Sequence, residues 1–110
     1  MGDRTLRRSF NYVPDIAAGV CSVLDASSLS YDVYNNSSAE WTTVAEVVAV
    51  LQELHPDLRM TDMPEKGLSG RASRMDVTRI EEDVGFVAQF DLPTGLRDYL
   101  AWREATGFSE

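Results

Sequence analysis

The sequence predicts a small α/β domain of about three short strands and four helices, spanning residues 1–110 as a single unit. Two kinds of spacing support this fold class. Short segments alternate polar and apolar residues, as strands do, and longer segments place apolar residues three and four apart, as helices do. The length of 110 residues suits one domain with one core, and the 44% apolar content is typical of a folded globular protein.

The first two predicted elements meet at Pro14. The segment from Arg8 to Val13 alternates polar and apolar side chains and contains two aromatic residues, so it predicts a strand. Pro14 has no N–H to donate to a sheet, but its fixed φ suits the first turn of a helix. The apolar residues that follow at helical spacing predict a helix from about Pro14 to Ala26. They are Ile16, Val20, Val23 and Leu24.

The second strand and second helix are separated by a polar loop, "NNSSAE". The short segment "YDVY", Tyr31 to Tyr34, predicts a strand. Thr43 and Glu46 have the spacing of a capping box, in which each side chain accepts a hydrogen bond from the other residue's backbone N–H. Pro56 ends the helix that begins there. Its apolar stripe consists of Val44, Val47, Val48, Leu51 and Leu54.

The last third of the chain predicts one more strand and two helices. "LRMTDM", residues 58–63, alternates again, and residues 64–73 form a loop rich in small residues. Thr78 and Glu81 repeat the capping-box spacing, and Gly85 supplies a left-handed residue that ends a short helix. A final helix begins at Asp91 and Pro93, presents Leu92, Leu96, Tyr99 and Leu100 on one face, and ends at Gly107.

Charge and cysteine content restrict the classes of partner and compartment. The net charge is −8, and only Lys66 among the ten basic residues is a lysine, so the chain as a whole repels nucleic acid and anionic membranes. Cys21 is the only cysteine; no internal disulfide can form, and we expect a buried structural thiol. No apolar run approaches the ~20 residues that span a bilayer. We therefore expect a soluble cytoplasmic protein.

Residues with catalytic potential have simpler structural interpretations. His55 is the only histidine, and its place at a helix C-terminus predicts a solvated residue rather than a catalytic base or a metal ligand. The Glu81–Glu82 pair is expected on a solvated helix face, and Asp76 is expected to orient the helix that follows it. Trp41 and Trp102 are expected in the core or in a hydrophobic staple. We predict no catalytic residue and no metal site.

Four segments, taken in chain order, resemble consecutive segments of one enzyme family. They are "RRSFNYVPDIAAGV", "YDVYNNSSAEWTTVAEVVAVL", "RMDVTRIEEDVGF" and "DLPTGLRDYLAWRE". The family is that of the extended short-chain dehydrogenase/reductases, and the segments are similar to the C-terminal, substrate-binding portion of NAD-dependent nucleotide-sugar epimerases and dehydratases. The resemblance covers nearly the whole chain and implies the fold of that lobe without its Rossmann domain. Two positions depart from the pattern, Asn36 in place of a glycine-rich turn and Val84 in place of leucine.

The family's NAD(P) chemistry requires two features that this sequence lacks. A glycine-rich turn after the first strand of a nucleotide-binding unit allows the backbone to approach the pyrophosphate. Here Gly67 and Gly70 lie in a late loop, and the next position of that spacing is Ser73. The family also uses a Tyr-x-x-x-Lys pair, but Lys66 is preceded four residues earlier by Asp62. We therefore predict no cofactor in this chain and no catalysis by the chain alone, and whether it serves an enzyme stays open.

The resemblance implies one substrate site. In the family, an arginine in the loop before the Asp-x-Ser/Thr-Lys/Arg segment contacts the diphosphate of the sugar nucleotide, and a guanidinium suits this because its planar fork can bind two phosphate oxygens. Arg71 and Arg74 lie in this loop. The alternative is that both are solvated arginines that offset local acids. Arg79 resembles the family's basic position and is expected on the surface.

Two functions from different classes follow. The chain is either the substrate-binding lobe of a split or truncated epimerase or dehydratase, or a non-enzymatic module that associates with itself or with another protein. Both predict association, because a lobe without its nucleotide-binding domain exposes apolar surface that a partner usually covers. The expected partner is a second copy, giving a homodimer, or a separate Rossmann-type domain; a nucleotide sugar is the expected small molecule.

Overall fold

The structure is a computed structural model that describes residues 6–61 and 73–108. These residues are mostly helical, with one two-stranded antiparallel sheet. The elements in chain order are β1 (Arg7–Arg8), α1 (Val13–Asp25), β2 (Thr42–Thr43), α2 (Val44–Leu54), a π-helical turn (Ile80–Val84) and α3 (Leu92–Thr106).

Each strand of the sheet has only two residues. After Arg8, side-chain hydrogen bonds instead of backbone hydrogen bonds connect the two segments. Arg7 pairs with Thr43 and Arg8 with Thr42. Beyond Arg8, the Asn11 carboxamide oxygen accepts from the Ser38 N–H at 2.8 Å and from the Ser37 hydroxyl at 3.0 Å. The predicted strand from Arg8 to Val13 is therefore wrong in extent: the observed strand is two residues long, begins one residue earlier and ends five residues earlier.

The other two predicted strands are not formed in the described residues. Residues 31–34 belong to a loop that is held by the Asp83 carboxylate, which accepts from the Ser30 N–H at 3.0 Å, from the Ser30 hydroxyl at 2.7 Å and from the Tyr34 hydroxyl. Leu58 to Thr61 form no strand either, and residues 62 and 63 lie outside the described residues. The described part thus has two strands instead of three.

Helices α1 and α2 confirm their predictions to within a residue or two. Pro14 lies in the first turn of α1, as expected. At the start of α2 the Thr43 hydroxyl accepts from the Glu46 N–H at 3.1 Å, and the Glu46 carboxylate accepts from the Thr43 N–H at 2.6 Å. Both halves of the predicted capping box are present, and the helix ends at Leu54, two residues before Pro56.

The short helix before Gly85 differs from its prediction at one end only. No side chain caps the π-helical turn. Before it, the Asp76 carboxylate accepts from the Thr78 N–H at 2.9 Å and from the Thr78 hydroxyl at 2.6 Å. The expected Thr78–Glu81 capping box is therefore wrong, while the expectation that Asp76 orients this helix is confirmed. The chain then winds into the π-helical turn and leaves it through Gly85, whose φ of 75° is the left-handed conformation that the sequence predicted.

Helix α3 begins and ends where the sequence predicted. The Asp91 carboxylate accepts from the Thr94 N–H at 2.9 Å, and Gly107 closes the helix with a φ of 63°. The Glu40 carboxylate also accepts from the N–H of Leu92 at 3.0 Å, which ties the start of α3 to the loop before β2.

The interior of the described residues is small and partly polar. Its buried apolar side chains are Val48 and Ile80, and its buried polar residues are Asp15, Ser37 and Ser38. The Asp15 carboxylate accepts from the backbone N–H of Gln89 at 2.9 Å and of Phe90 at 3.0 Å. This residue, which the sequence analysis did not single out, joins α1 to the segment that leads into α3.

Gly19 marks the closest approach of α1 to the polar loop. A Cβ at Gly19 would lie 2.5 Å from the Asn36 side-chain nitrogen, which itself donates to the Ile16 carbonyl at 2.9 Å. The departure of Asn36 from the family's glycine-rich turn therefore has a local role, because this side chain fastens the loop to α1.

Some residues that the sequence placed in the core lie at the surface. Cys21 is exposed, so the expectation of a buried thiol is wrong. Trp41 is half-buried, but Trp102 is 48% exposed. The reason is common to both errors: apolar spacing identifies a face that is suited to burial, whereas the described residues place nothing over it.

Candidate functional site

Arg74 lies at the edge of a shallow pocket of about 400 Å³. Its guanidinium donates to the Ala39 carbonyl at 2.9 Å, so the side chain is held although it is exposed. Arg71, the other predicted phosphate contact, lies outside the described residues. The pocket is lined by Ala39, Arg74, Met75, Asp76, Val77, Thr78 and Glu81.

The electrostatics of this pocket are mixed. The hydroxyl and the N–H of Thr78 hold the pKa of the Asp76 carboxyl below its ordinary value, with a smaller contribution from the nearby Arg79 charge. Asp76 is therefore ionised at neutral pH, and Glu81 adds a second acidic side chain to the wall. One described arginine facing two acids does not make an anion site, so a diphosphate would need further positive charge on this wall.

Arg79 is exposed, as expected, and packs away from this pocket. Its guanidinium carbon lies 4.2 Å from the centre of the Tyr31 ring, the geometry of a cation–π contact. It also donates to the Val33 carbonyl at 3.4 Å. Arg79 thus holds the loop of residues 31–34 against the π-helical turn, and the sequence had not anticipated this role.

A larger groove of about 530 Å³ lies between the segment before α1 and helix α3. Its walls are mostly apolar. Its lining residues are Phe10, Asn11, Tyr12, Val13, Pro14, Val47, Phe90, Asp91, Leu92, Gly95, Leu96, Tyr99 and Trp102. Sequence analysis grouped Leu92, Leu96 and Tyr99 on one face of the helix, but it had no signal that Phe10 to Pro14 would form the opposite wall.

Tyr12 supplies the main polar feature beside this groove. Its ring packs edge-to-face on Phe90, with centroids 4.8 Å apart, and its hydroxyl donates to the Asp98 carboxylate. That hydrogen bond, with smaller contributions from burial and from the Asp98 charge, raises the pKa of Tyr12 to about 12. Tyr12 is therefore protonated at neutral pH and is poorly suited to act as a base.

The described residues do not fit a dinucleotide or a metal ion. A dinucleotide site needs a glycine-rich turn between a strand and the N-terminus of a helix, whereas the strands found in residues 6–61 and 73–108 form one short antiparallel pair. In the same ranges, no three His, Cys, Asp or Glu residues are grouped closely enough to hold a metal. His55 is exposed, as expected.

Comparison with known proteins identifies solved structures of similar fold. MoeE5 in complex with UDP-glucuronic acid and NAD is 24% identical, with a TM-score of 0.84 over 96% of this chain and 36% of that chain. The Bordetella bronchiseptica enzyme WbmF in complex with NADH gives 20% identity, a TM-score of 0.76, and coverage of 96% and 32%. UDP-glucuronic acid 4-epimerase from Bacillus cereus in complex with NAD is 19% identical, with a TM-score of 0.74 over 98% of this chain and 34% of that chain.

The chain has the fold of one part of these nucleotide-sugar enzymes. It spans about a third of the length of the solved structures that it matches. The family resemblance read from the four sequence segments is thereby confirmed at the level of fold, including its restriction to a part of the epimerase. Neither the comparison with protein-family models nor that with curated proteins gives a match.

The helices of this epimerase-like lobe are too short or too polar to span a bilayer, as far as the described residues go. MoeE5 and the Bacillus cereus epimerase were solved in complex with NAD, while the described residues of the lobe offer it no site. The chain therefore has the fold of one part of these enzymes, and its described residues show no feature of a cofactor-binding domain.

Proposed function

We propose that this chain is the substrate-binding lobe of a nucleotide-sugar epimerase- or dehydratase-like protein, and that it does not convert substrate on its own. Arg71 and Arg74 contact the diphosphate of the nucleotide sugar. The NAD-binding part and the Tyr-x-x-x-Lys pair are supplied by another domain or by another chain. We also propose that the protein is cytoplasmic.

One observation carries this proposal: 96% of the chain superposes on a structure that holds UDP-glucuronic acid, while only 36% of that structure is matched. The arrangement at Arg74 supports it further, because the guanidinium is anchored to the Ala39 carbonyl at the edge of a pocket. Anchoring reduces the entropy that a flexible arginine would lose on binding a phosphate. In this proposal, Arg71 supplies the further positive charge that a diphosphate would need.

The test is the melting temperature of the purified chain with UDP-, dTDP-, GDP- and ADP-sugars, beginning with UDP-glucuronic acid. A ligand at ten times its Kd stabilises the folded state by about 1.4 kcal/mol. For a domain of this size, that corresponds to a rise of about 6–11 °C. NAD should give no rise, and no nucleotide sugar should be converted when NAD is added.

Matched variants identify the binding residues. Changing Arg71 and Arg74 to alanine should abolish the rise, whereas Arg97→Ala, which removes a charge from the exposed face of α3, should leave it intact. Conversion of a nucleotide sugar by the chain with added NAD would refute the proposal. An equal rise in the Arg71→Ala/Arg74→Ala variant would refute the assignment of the site.

A second candidate function is a self-associating, non-enzymatic module, and the surface of α1 favours it. The exposed residues of this helix are apolar from end to end until Asp25. An apolar outer face is unusual for a solvated helix and is typical of a helix that is covered by other protein. Such a surface supports association with a further protein surface, whether or not the nucleotide-sugar site is used.

A further inference from the structure

The outer face of α1 is an apolar stripe that runs the length of the helix. We define the stripe as the exposed positions Val13, Ala17, Val20, Cys21 and Leu24. They lie at spacings of three and four residues and therefore on one side of the helix. The large members are well exposed: Val13 by 76%, Val20 by 50% and Leu24 by 77%.

The stripe continues into the apolar groove beside α3. Val13 belongs to both, and Phe10, Tyr99 and Trp102 form the adjoining aromatic rim. Trp102 stacks on Tyr99 at 6.1 Å and meets Phe108 at 5.5 Å, so these three rings form one connected surface that extends the rim to Phe108, while Phe10 belongs to the opposite wall of the groove. These four aromatic residues are each 39–50% exposed.

The area of this combined surface matches what a dimer needs. Aromatic side chains carry roughly 150–250 Å² each, so the four exposed fractions amount to about 350 Å². The three large aliphatic residues add roughly 200 Å² at about 100 Å² for each full side chain. Two copies would cover about 1,100 Å², just above the ~1,000 Å² expected of a specific interface.

The stripe is also complementary to itself. Two α1 helices that cross antiparallel about a two-fold axis, with the axis midway along the stripe, place Val13 opposite Leu24 of the partner subunit and Ala17 opposite Val20 of the partner subunit. Large side chains then meet large ones at both ends, and a small residue meets a large one beside the axis. Residues 13–24 contribute no charge to the stripe that would be buried, since its members are all apolar.

Charge complementarity points to the same antiparallel arrangement. Helix α1 ends with Asp25, has no basic residue in its last turn, and begins at Tyr12 without a side-chain cap. An acid is unfavourable at the C-terminus of its own helix and favourable at the N-terminus of a neighbour. In the antiparallel pair, Asp25 lies opposite position 12 of the partner subunit, at the uncapped end.

We propose that the α1 stripe and its aromatic rim form an isologous interface with a second copy of this chain. The inference rests on the second candidate function, self-association, and is independent of the nucleotide-sugar site. In such an interface each residue appears twice, so a single substitution acts on both sides of the axis.

Sedimentation of the intact chain over a wide concentration range tests the proposal. We expect a reversible change from the 12.2 kDa chain to twice that mass, with a Kd on the order of micromolar. Val20→Glu should raise the Kd by on the order of 100-fold or more, because it would bury two unpaired carboxylates. Val87→Glu is the matched control, since Val87 is also a valine, is 51% exposed and lies outside α1 and its stripe; it should leave the Kd unchanged.

A second measurement needs no substitution. Cys21 is the only cysteine and lies on the stripe, so its alkylation should slow as the wild-type concentration rises through the Kd. If circular dichroism shows that Val20→Glu does not fold, the alkylation rate of the wild-type chain still tests the interface. A wild-type monomer at high concentration, a dimer that Val20→Glu and Val87→Glu weaken equally, or alkylation independent of dimerisation would each overturn the interface. A melting-temperature rise with UDP-glucuronic acid in a strictly monomeric chain would overturn this interface and leave the substrate-lobe proposal standing.

Discussion

Asp15 offers the sharpest test of how the lobe is held together. Its carboxylate is buried and accepts from two consecutive backbone N–H groups, those of Gln89 and Phe90, at 2.9 and 3.0 Å. The two donors belong to the segment that leads into α3, more than 70 positions away in the chain. Asp15→Ala removes both hydrogen bonds and leaves both donors without this acceptor.

The expected cost follows from these contacts. A hydrogen bond to a charged group contributes about 1.5–3 kcal/mol, and the lower value applies here because the donors are only partly buried. Asp15→Ala should therefore lower the free energy of unfolding by about 3 kcal/mol, a large part of the 5–15 kcal/mol typical of a domain. Asp15→Asn keeps one acceptor oxygen and should cost roughly half as much.

Urea unfolding followed by circular dichroism measures this change, at a protein concentration well below the Kd of any dimer, so that self-association does not alter the comparison. Asp25→Ala is the matched control, because Asp25 lies on the same helix and is exposed; its effect should stay within about 0.5 kcal/mol. If Asp15→Ala and Asp25→Ala unfold at the same urea concentration with the same slope, the carboxylate does not join α1 to α3 as described.

Two further predictions concern pH and helix capping. The pKa of Tyr12 is raised to about 12 by its hydrogen bond to Asp98, so the folded state holds this proton more tightly than the unfolded state, in which the pKa is near 10. The stability that this hydrogen bond contributes is present below pH ~10 and is lost as the pH rises from ~10 to ~12. In an absorbance titration, Asp98→Asn should bring the late phenolate transition to lower pH. An unchanged titration would contradict the assignment of the raised pKa to Asp98. Thr43→Ala should lower the free energy of unfolding by about 1 kcal/mol, because the α2 cap is lost, and Thr42→Ala, one residue earlier, should cost clearly less. The Thr43 N–H and hydroxyl also lower the pKa of Glu46, so the carboxylate half of this cap contributes near neutral pH and should be lost as acid protonates Glu46, while the bond from the Glu46 N–H to the Thr43 hydroxyl remains. A Thr43→Ala effect of the same size in acid and at neutral pH would argue against the carboxylate half.

Helix positions could be predicted because their signals are local. The Thr43–Glu46 box, Gly85 and Gly107 each act within a few residues of their own position, and the structure confirms all three. The strands could not be placed in the same way, since alternation records which side chains suit a pleated surface and not which partner is present. Residues 31–34 alternate, but Asp83 and Ser30 supply the hydrogen bonds that hold this loop.

The candidate site was predictable only in part, for a similar reason. Arg74 was singled out from its place before the Asp-x-Thr segment, and it lies at the edge of a pocket; its role as a substrate contact stays a prediction. The groove beside α3 was not foreseen, because its walls come from residues about 80 positions apart. Cys21 was assigned to the interior because its neighbours are apolar, and Trp102 to the core or a hydrophobic staple as a large aromatic residue; both are exposed in the described structure.

The small apolar interior has a consequence for how stability changes with temperature. The heat capacity of unfolding grows with the apolar area that becomes hydrated, and Val48 and Ile80 are the buried apolar residues of the described ranges. The isolated monomer should therefore have a flat stability curve, with its cohesion resting on hydrogen bonds such as those of Asp15 and Asp83. Covering the α1 stripe would add apolar burial, so it should also increase the curvature, and calorimetry would register docking as a change in heat capacity.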